Sequence, residues 1–501
     1  MFSDQIKTKC SLPYSLYPAQ QIKEFEGQAA ASIDRSLYDL MKSAGEACYQ
    51  VLKIHFPNAQ RVLVLTGSGN NGGDGYIMAT QAKRAGLSVQ LCHLGDPANL
   101  RGDAELAKQG WLQEKGQIEH IEQIDFASAD VIVDALLGTG LSGPLRVDYQ
   151  RLICKINQSD KPVLSVDLPS GLDSDNGNVN DVAVKATATI TFVGLKQGLF
   201  TGHAAEYCGQ IYFSGLGITD QFALLAKSDV TRVAYQQLSR LLGARNRVSH
   251  KGAFGRTLLI GGNLGMPGSI RLAAEACLRS GSGLVKVLTR LENQDVVMAG
   301  RPELMLERAD IDNLDEVSLS SWATNLVVGP GLGHDNWAKK LFNAAFDTDL
   351  PLVLDADGLN LLAENPVRRD NWVLTPHPGE ASRLLGCSIT QIEQDRFAAI
   401  SELQLIFGGV VVLKGAGTLI CDGKRTYIAN VGNPGMASGG MGDVLSGIIG
   451  GLLAQGLDLL QATMLAVCIH GTAGDLAAKK DERGLLASDL FPYIRKLVNP
   501  K

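Results

Sequence analysis

Short apolar runs closed by glycine-rich turns alternate with stretches of helical periodicity from about residue 60 to the end of the chain. Residues 61–66, with Val-Leu-Val-Leu at their centre, have the continuous apolar character of a strand covered on both faces. They run into Gly67-Ser-Gly-Asn-Asn-Gly-Gly-Asp-Gly75, a helical pattern over 76–85 and a second strand over 88–94, which together make a βαβ unit. Further strands are predicted at 130–134, 162–167 and 187–193. The segment 215–240 has no strand run ending in a glycine-rich turn and is the expected connection. Beyond it the rhythm restarts, with strands predicted at 256–261, 284–288, 325–329, 351–355, 372–374 and 409–414. A helix from about residue 442 carries Val444, Ile448 and Leu452 on one stripe, with Leu445, Ile449 and Leu453 beside it. So wide an apolar face places the helix inside its domain. The pattern gives two α/β domains, drawn at residues 1–225 and 226–501, and no period of about 20–50 residues that would mark a repeat array.

Composition changes this picture in three places. A length of 501 residues already implies about two to four domains, and 45% hydrophobic with 20% charged residues is ordinary for a soluble globular chain. The 56 glycines are the unusual figure, and they point to turns at positive φ or to backbone that approaches a ligand closely. A net charge of −6 without a long basic run argues against nucleic-acid binding. The nine cysteines are scattered, with no CxxC or zinc-like spacing, and read as reduced thiols. With no apolar leader in residues 1–10 and no run of eighteen apolar residues, the expected class is a cytoplasmic enzyme without a membrane partner.

Open parallel sheets bind ligands beyond the carboxyl ends of their strands, and three glycine-rich loops of the first half fall there. Gly67–Gly72 satisfies GxGxxG, a weak signal alone, and the acid expected after the second strand of a dinucleotide-binding unit is misplaced, since the strand ends in Cys92-His93-Leu94-Gly95 before Asp96. Asn70, Asn71, Gly72, Gly73 and Asp74 carry more, because carboxamides, a carboxylate and approachable amides at a helix start favour an anion. The second loop, Ala-Leu-Leu-Gly138-Thr-Gly-Leu-Ser-Gly143-Pro, follows Asp134, and the third is Asp167-Leu-Pro-Ser170-Gly-Leu-Asp173. Asp134 or Asp167 taken singly reads equally as a cap or turn acceptor.

The strings NNGGDG, DALLGTGLSGP and VDLPSGLD resemble those of the NAD(P)H-hydrate epimerase domain over roughly residues 20–215. The resemblance implies a Rossmann-like domain in which Asn70 to Asp74 and Gly138, Thr139, Gly140, Leu141, Ser142, Gly143 and Pro144 cradle the substrate. It also implies Asp167 as the substrate-contacting acid/base, and Asn71, Asp134 and Ser170 as ligands of a potassium ion. An all-oxygen set suits a hard cation and does not suit zinc. Moving a hydroxyl at C6 of the reduced nicotinamide ring needs proton transfer to the departing oxygen, a task for one carboxyl poised near working pH.

The strongest motif of the chain is Gly432-Asn-Pro-Gly-Met-Ala-Ser-Gly-Gly-Met-Gly-Asp443. Amides of Gly439 to Gly442 at the start of the buried helix suit the equatorial oxygens of a transferring phosphoryl group, with Asp443 beside them to take a proton from the attacking hydroxyl. An acid in the first turn of a helix is also common for structural reasons, but that leaves the preceding small, glycine-rich chain unexplained. Val411-Val-Leu-Lys-Gly-Ala-Gly-Thr418 is a second candidate phosphate loop, and GxxxxGK[ST] occurs nowhere. Thr375-Pro-His377-Pro-Gly-Glu380, Gly329-Pro-Gly-Leu-Gly333 and Asp355-Ala-Asp357-Gly-Leu-Asn360 lie at other strand ends. His470-Gly-Thr-Ala-Gly-Asp475 reads as a packing helix, and His470 is given no catalytic role.

Together these strings are similar to the ADP/ATP-dependent NAD(P)H-hydrate dehydratase domain, a ribokinase-like fold, over about residues 240–495. The resemblance implies nucleotide contacts at Lys414, Gly415, Ala416, Gly417 and Thr418, and at Asn433, Pro434, Gly435, Met436, Ala437, Ser438, Gly439, Gly440, Met441 and Gly442. Substrate contacts would fall at Ala253, Gly331, His377 and Asp443, with magnesium on the ADP or ATP. Met441 departs from the family, where a small hydroxylic residue is common, so only backbone donors are expected from that position. The expected partners are small molecules (hydrated NADH or NADPH and ADP or ATP) and further copies of the chain in a homo-oligomer. The alternative is a ribokinase-like small-molecule kinase fused to a non-catalytic, nucleotide-sensing Rossmann-like domain; its product would be a stable phosphate ester.

Overall fold

The computed structural model describes residues 6–8, 11–140, 143–308 and 321–500. The chain divides into two compact units, Met1–Thr231 and Arg232–Lys501. Leu141 and Ser142 of the second glycine-rich loop lie outside the described residues.

The first unit holds strands β1 (Lys7–Thr8), β2 (Ser15–Tyr17), β3 (Arg61–Thr66), β4 (Ser88–His93), β5 (Val131–Ala135), β6 (Val163–Val166), β7 (Ala188–Phe192), β8 (Leu195–Lys196) and β9 (Gln210–Ser214). Its main sheet has the order β1-β9-β7-β6-β5-β3-β4, parallel except for β1. Because β4 pairs on one side of β3 and β5 on the other, the connections diverge between β3 and β5 and open a crevice there. Gly67 closes its floor, since a methyl group on it would collide with the carbonyl of Leu136.

Strand β10 (Val230–Val233) begins in the first unit, where Val230 and Thr231 pair with Leu16 and Ser15. The second unit continues with β11 (Arg256–Ile260), β12 (Leu284–Thr289), β13 (Met305–Arg308), β14 (Asn325–Val328), β15 (Leu352–Leu354), β16 (Trp372–Leu374), β17 (Val410–Leu413), β18 (Thr418–Cys421) and β19 (Thr426–Ala429). Their order is β13-β12-β11-β14-β15-β16-β17-β18-β19, parallel up to β17 and antiparallel after it. The divergence now falls between β11 and β14, and Gly261 touches the Pro330 carbonyl as Gly67 touches that of Leu136.

Two differences from the sequence reading have clear causes. Asn70 to Gly75 are not a loop before the helix but its first turns, in a helix that spans Asn70–Arg84. Their glycines are there for packing: a side chain at Gly72 would strike the Gly67 carbonyl, and one at Gly73 would press on Met41. The connecting segment is also structured, with a helix at Thr219–Leu225 before β10. Both are too short to show a period. Among the described residues no helix is long and apolar enough to cross a membrane.

The buried helix Met441–Ala454 packs along the helix Pro267–Ser280 at the closest possible range. Gly447 meets the Ala273 carbonyl and Gly451 the Ser280 hydroxyl, so one backbone lies directly on the other. Gly447→Val has nowhere to put its side chain and should destabilise the second unit by about 3 kcal/mol or more. Denaturant unfolding measures this, and an unchanged midpoint would show that the helices separate freely.

Candidate active sites

In the first unit, the helix Asn70–Arg84 starts at Gly69, and the amides of Asn70, Asn71 and Gly72 precede its first internal bond, Gly73 N to Gly69 O at 3.2 Å. These free N–H groups face the crevice at the sheet's carboxyl edge. Gly138 stands against Asn71, whose Cγ would be 3.3 Å from a methyl on Gly138. Thr139 is half-buried, while Gly140, Gly143 and Pro144 are exposed, so this loop forms a rim.

Asp134, at the end of β5, is fully buried. Its Oδ2 accepts from Ser165 Oγ and Ser170 N, both at 2.9 Å, and its Oδ1 from Ser170 Oγ at 2.6 Å and Leu136 N at 3.3 Å. Burial raises its pKa, against these hydrogen bonds, which lower it. Asp134 is therefore no helix cap but the clamp that ties the second and third loops together. Asn71, in contrast, buries a carboxamide whose nitrogen and oxygen both lack a partner.

Asp167 follows β6 in the left-handed region at φ +65°, held there by its N–H to the Ile190 carbonyl at 2.7 Å. Its Oδ1 forms an ion pair with Lys196 and accepts from Thr191 Oγ1 at 3.2 Å. The Lys196 ammonium also donates to Thr191 Oγ1 at 3.0 Å and Phe192 O at 3.1 Å, which uses its three hydrogens. The Lys196 side chain is 2% exposed against 14% for Asp167, so a ligand reaches the acid and not the ammonium. Asp74 and Glu26 complete the cluster. Burial raises both pKa values, well above the ordinary range for Asp74, where Asp167 and Glu26 add repulsion. One ammonium among three carboxyls leaves two of them biased toward the protonated form.

The second unit repeats this arrangement with different elements. Asp443 lies in the first turn of the helix Met441–Ala454, whose N-cap Gly440 has φ +88°, a conformation that favours glycine. The amides of Met441, Gly442 and Asp443 precede the first internal bond, Val444 N to Gly440 O at 3.0 Å. The Asp443 carboxyl is pushed up to about 7, by burial first and then by Asp355; hydrogen bonding to Ser269 and the charge of Lys414 pull the other way. Asp355 is buried at the end of β15, 3.0 Å from Lys414 Nζ and hydrogen-bonded by Ser446 Oγ. Burial raises its pKa, but Lys414 and Ser446 outweigh this and hold it below the usual carboxylate range. Glu380 lies 3.7 Å from the same ammonium, and burial raises its pKa. Burial alone would lower the Lys414 pKa, but Asp355 and Glu380 reverse that and raise it. Gly442 lets the cation reach the helix start, where a methyl would lie 3.2 Å from Lys414 Nζ.

The other sequence-predicted residues distribute around this centre. Gly331, at φ +59°, packs against Met266 and Ser269 and so lies close to Asp443. His377 caps the helix Pro378–Leu385: its Nδ1 accepts from Gly379 N at 3.0 Å and its backbone N–H donates to Glu380 Oε2 at 2.8 Å, leaving the ring half exposed. Gly415, Ala416, Gly417 and Thr418 form a turn after β17, with Gly415 and Ala416 exposed and Thr418 Oγ1 bonded to the Gly415 carbonyl at 3.0 Å. Asn433 caps the short turn Pro434–Met436 and donates to Asp475 at 3.1 Å. Gly435 is pressed against the Glu482 carbonyl, Ala437 ends that turn, Ser438 donates to Leu485 O at 3.1 Å, and Gly439 has open space around it. The Met441 side chain is absorbed into the hydrophobic core, so that position offers its backbone only. His470 lies in the helix Leu459–Ala477, and burial lowers its pKa to about 4.

Ala253 is the exception. It precedes β11, at the amino edge of the sheet, and neighbouring Gly255 abuts the carbonyl of Ala454, the last residue of the helix whose first turn carries Asp443. Fourteen residues of helix, about 20 Å, separate the two ends, so Ala253 does not join the site. Ser269 takes up the position beside Asp443 instead.

Glu26, Lys196, Ser269, Glu380 and Ser446 carried no role in the sequence reading. Lys196 alone had a usable signal, a lysine that ends β8 shortly after the apolar run of β7.

Fold and sites together define a two-centre α/β enzyme, each centre an acidic cluster around one lysine at the carboxyl edge of a parallel sheet. Residues 257–496 match the family described as NAD(P)H-hydrate dehydratase, and residues 37–198 match that described as the YjeF-related protein N-terminus. The chain is 48% identical to the bifunctional NAD(P)H-hydrate repair enzyme of Coxiella burnetii, over 97% of this chain and 99% of that one. It is 45% identical to that of Escherichia coli K12, over 99% and 96%. A ribokinase-like superfamily protein of Enterococcus faecalis V583 aligns with a TM-score of 0.50 and 32% identity, covering 55% of this chain and 99% of that structure. The chain belongs to the family of bifunctional NAD(P)H-hydrate repair enzymes.

Two outcomes follow from the electrostatics. Lys196→Met leaves the half-buried Asp167 without its counter-charge and should lower the stability of the first unit by about 3 kcal/mol in urea unfolding; an unchanged midpoint would mean that another cation compensates. For Asp443, a folded pKa of about 7 against 3.8 unfolded means that the folded chain binds the extra proton between those values. Stability should therefore decline as pH rises from about 4 to about 7. Asp443→Asn should be more stable than wild type at pH ~8 and lose that advantage near pH ~4. A constant difference across this range would contradict the raised pKa.

Proposed function

We propose that the second unit transfers a phosphoryl group from ADP or ATP to the C6 hydroxyl of hydrated NADH or NADPH and then expels it as phosphate, restoring the reduced cofactor. The first unit interconverts the two C6 epimers, so that both forms reach a dehydratase selective for one. The observation that carries this reading is Asp443: a carboxyl with a pKa near neutrality, one residue from free helix amides and close to the Lys414 ammonium. A base, an anion hole and a cation in one place are what phosphoryl transfer to a hydroxyl requires.

In the second unit Asp443 takes the C6 hydroxyl proton, the oxygen attacks the terminal phosphorus, and the nucleotide leaves one phosphate shorter. The C6–O bond then breaks with its electron pair going to phosphate while the ring-nitrogen lone pair supports C6, and loss of a proton from C5 to solvent forms the C5–C6 double bond of the restored ring. Amides of Gly440 to Gly442 and the Lys414–Thr418 turn hold phosphate oxygens, while Asn433 to Ser438 frame the nucleotide. Gly331, Ser269 and His377 line the side where the hydrate lies. A magnesium ion on the nucleotide would offset charge on its oxygens.

In the first unit Asp167 contacts the substrate at C6, with Lys196 orienting its carboxyl and Asp74 and Glu26 able to bear the proton for the departing hydroxyl. The orphaned Asn71 carboxamide packs against Gly138, next to Leu137 whose N–H is held by the Ser170 bonded to Asp134, and these three residues offer the oxygen donors and negative charge that suit potassium. Such an ion would supply a fixed positive charge near the substrate's oxygens.

The test uses mixed C6 epimers of the hydrate with ADP or ATP, followed by the return of reduced-cofactor absorbance. Asp443→Asn should reduce that return about 10²–10⁴-fold, and the wild-type rate should climb as pH rises through about 7, where Asp443 becomes the free base. Asp167→Asn should leave half of the hydrate unrepaired while the other epimer is processed normally. A stable phosphate ester in place of the restored cofactor would establish a kinase instead.

A further inference from the structure

The helix Asp357–Glu364 buries Leu359, Leu361 and Leu362 and turns Asp357, Asn360 and Glu364, spaced three and four apart, toward its other face. Asp357 opens this stripe beside the reaction centre, close enough to Asp443 to raise its pKa. Its Oδ2 accepts from Gly333 N at 2.8 Å and its Oδ1 faces His334 Nε2 at 3.3 Å. From His334 a groove of about 400 Å³ continues along the helix, lined by His334, Asn360, Ala363, Glu364 and Arg383.

The charges along the groove are uneven. Glu364 is paired with Lys339 at 2.8 Å, and Asp357 has the Gly333 amide and His334. Arg383, from the adjacent helix Pro378–Leu385, donates through Nη1 to the neutral carboxamide oxygen of Asn360 at 3.0 Å. That contact orients the guanidinium and leaves its charge and its other donors for a ligand. Asp357 to Asn360 rises about 4.5 Å at 1.5 Å per residue, and the Arg383 guanidinium lies one hydrogen bond, 3.0 Å, beyond the Asn360 carboxamide.

We propose that this groove is the subsite for the adenylate half of the hydrated dinucleotide, with Arg383 bonded to a phosphate of that half. The inference rests on the reading that the second unit dehydrates such a substrate, and it adds the element that tells a dinucleotide hydrate from a mononucleotide one. The ring reacts at Asp443, the chain of ribose and phosphate follows the Asp357–Asn360 stripe, and Arg383 holds the far end. The nucleotide co-substrate occupies the Lys414 side and does not use the groove.

Arg383→Gln and Arg383→Lys in the full chain test this against hydrated NADH, hydrated NADPH and the hydrate of reduced nicotinamide mononucleotide, at saturating ADP or ATP. The Gln variant should raise KM for the dinucleotide hydrates about tenfold or more with little change in kcat, and the Lys variant should recover part of the loss. KM for the mononucleotide hydrate and for ADP should stay at wild-type values. A loss on both dinucleotides assigns Arg383 to the bridging pyrophosphate, and a loss confined to hydrated NADPH assigns it to the 2′-phosphate; either supports the subsite. Unchanged dinucleotide KM, an equal rise for the mononucleotide, or a rise for ADP overturns it. Absence of hydrate turnover in the wild type would instead overturn the dehydratase reading itself.

Discussion

One buried ammonium facing several carboxylates is the interaction on which each half of this enzyme depends. Lys414 stands among Asp355, Glu380 and Asp443, and Lys196 among Asp167, Asp74 and Glu26. A lone carboxylate inside a protein is expensive, and a single cation cannot satisfy three. Asp355, in contact with Lys414, is held below the usual carboxylate range, while Glu380 and Asp443 in the second half, and Asp74 and Glu26 in the first, are pushed toward the protonated form. An uneven share of one positive charge thereby sets which groups in the site hold protons and which do not.

The backbone that supports these clusters is also shared in kind. A glycine directly after β3 and after β11, Gly67 and Gly261, lies on a carbonyl from across the point where the connections diverge. Side chains are excluded from that crossing, so the crevice is walled by peptide groups whose positions the sheet fixes. Polar backbone and helix starts can then face a ligand without side-chain entropy being lost on binding. In the second half the same economy appears at Gly442, where the missing side chain lets the ammonium touch the helix start.

Much of this was readable from the sequence because it depends on local signals. Continuous apolar runs gave the parallel strands, and the glycine-rich strings gave the loops at their carboxyl ends. What escaped was set by distance in the chain. Ser269 reaches Asp443 from 174 positions away, and Glu26 reaches Lys196 from a helix with no motif. Ala253 lies apart from the Asp443 centre for a different reason: its glycine-flanked string precedes its strand, and in a parallel sheet the two ends of a strand face different surroundings. At Met441, where only backbone donors were expected, the thioether is spent on the core.

Ala356 links the two surfaces of the second site. It is held at φ +48° and ψ −118°, a conformation that costs a residue other than glycine about 1–3 kcal/mol. That twist separates its neighbours, sending Asp355 inward to the lysine and Asp357 outward toward the loop after β14. A single strained peptide thus acts as a divider, so that two acids one residue apart serve different masters, and any insertion or deletion here would exchange their duties.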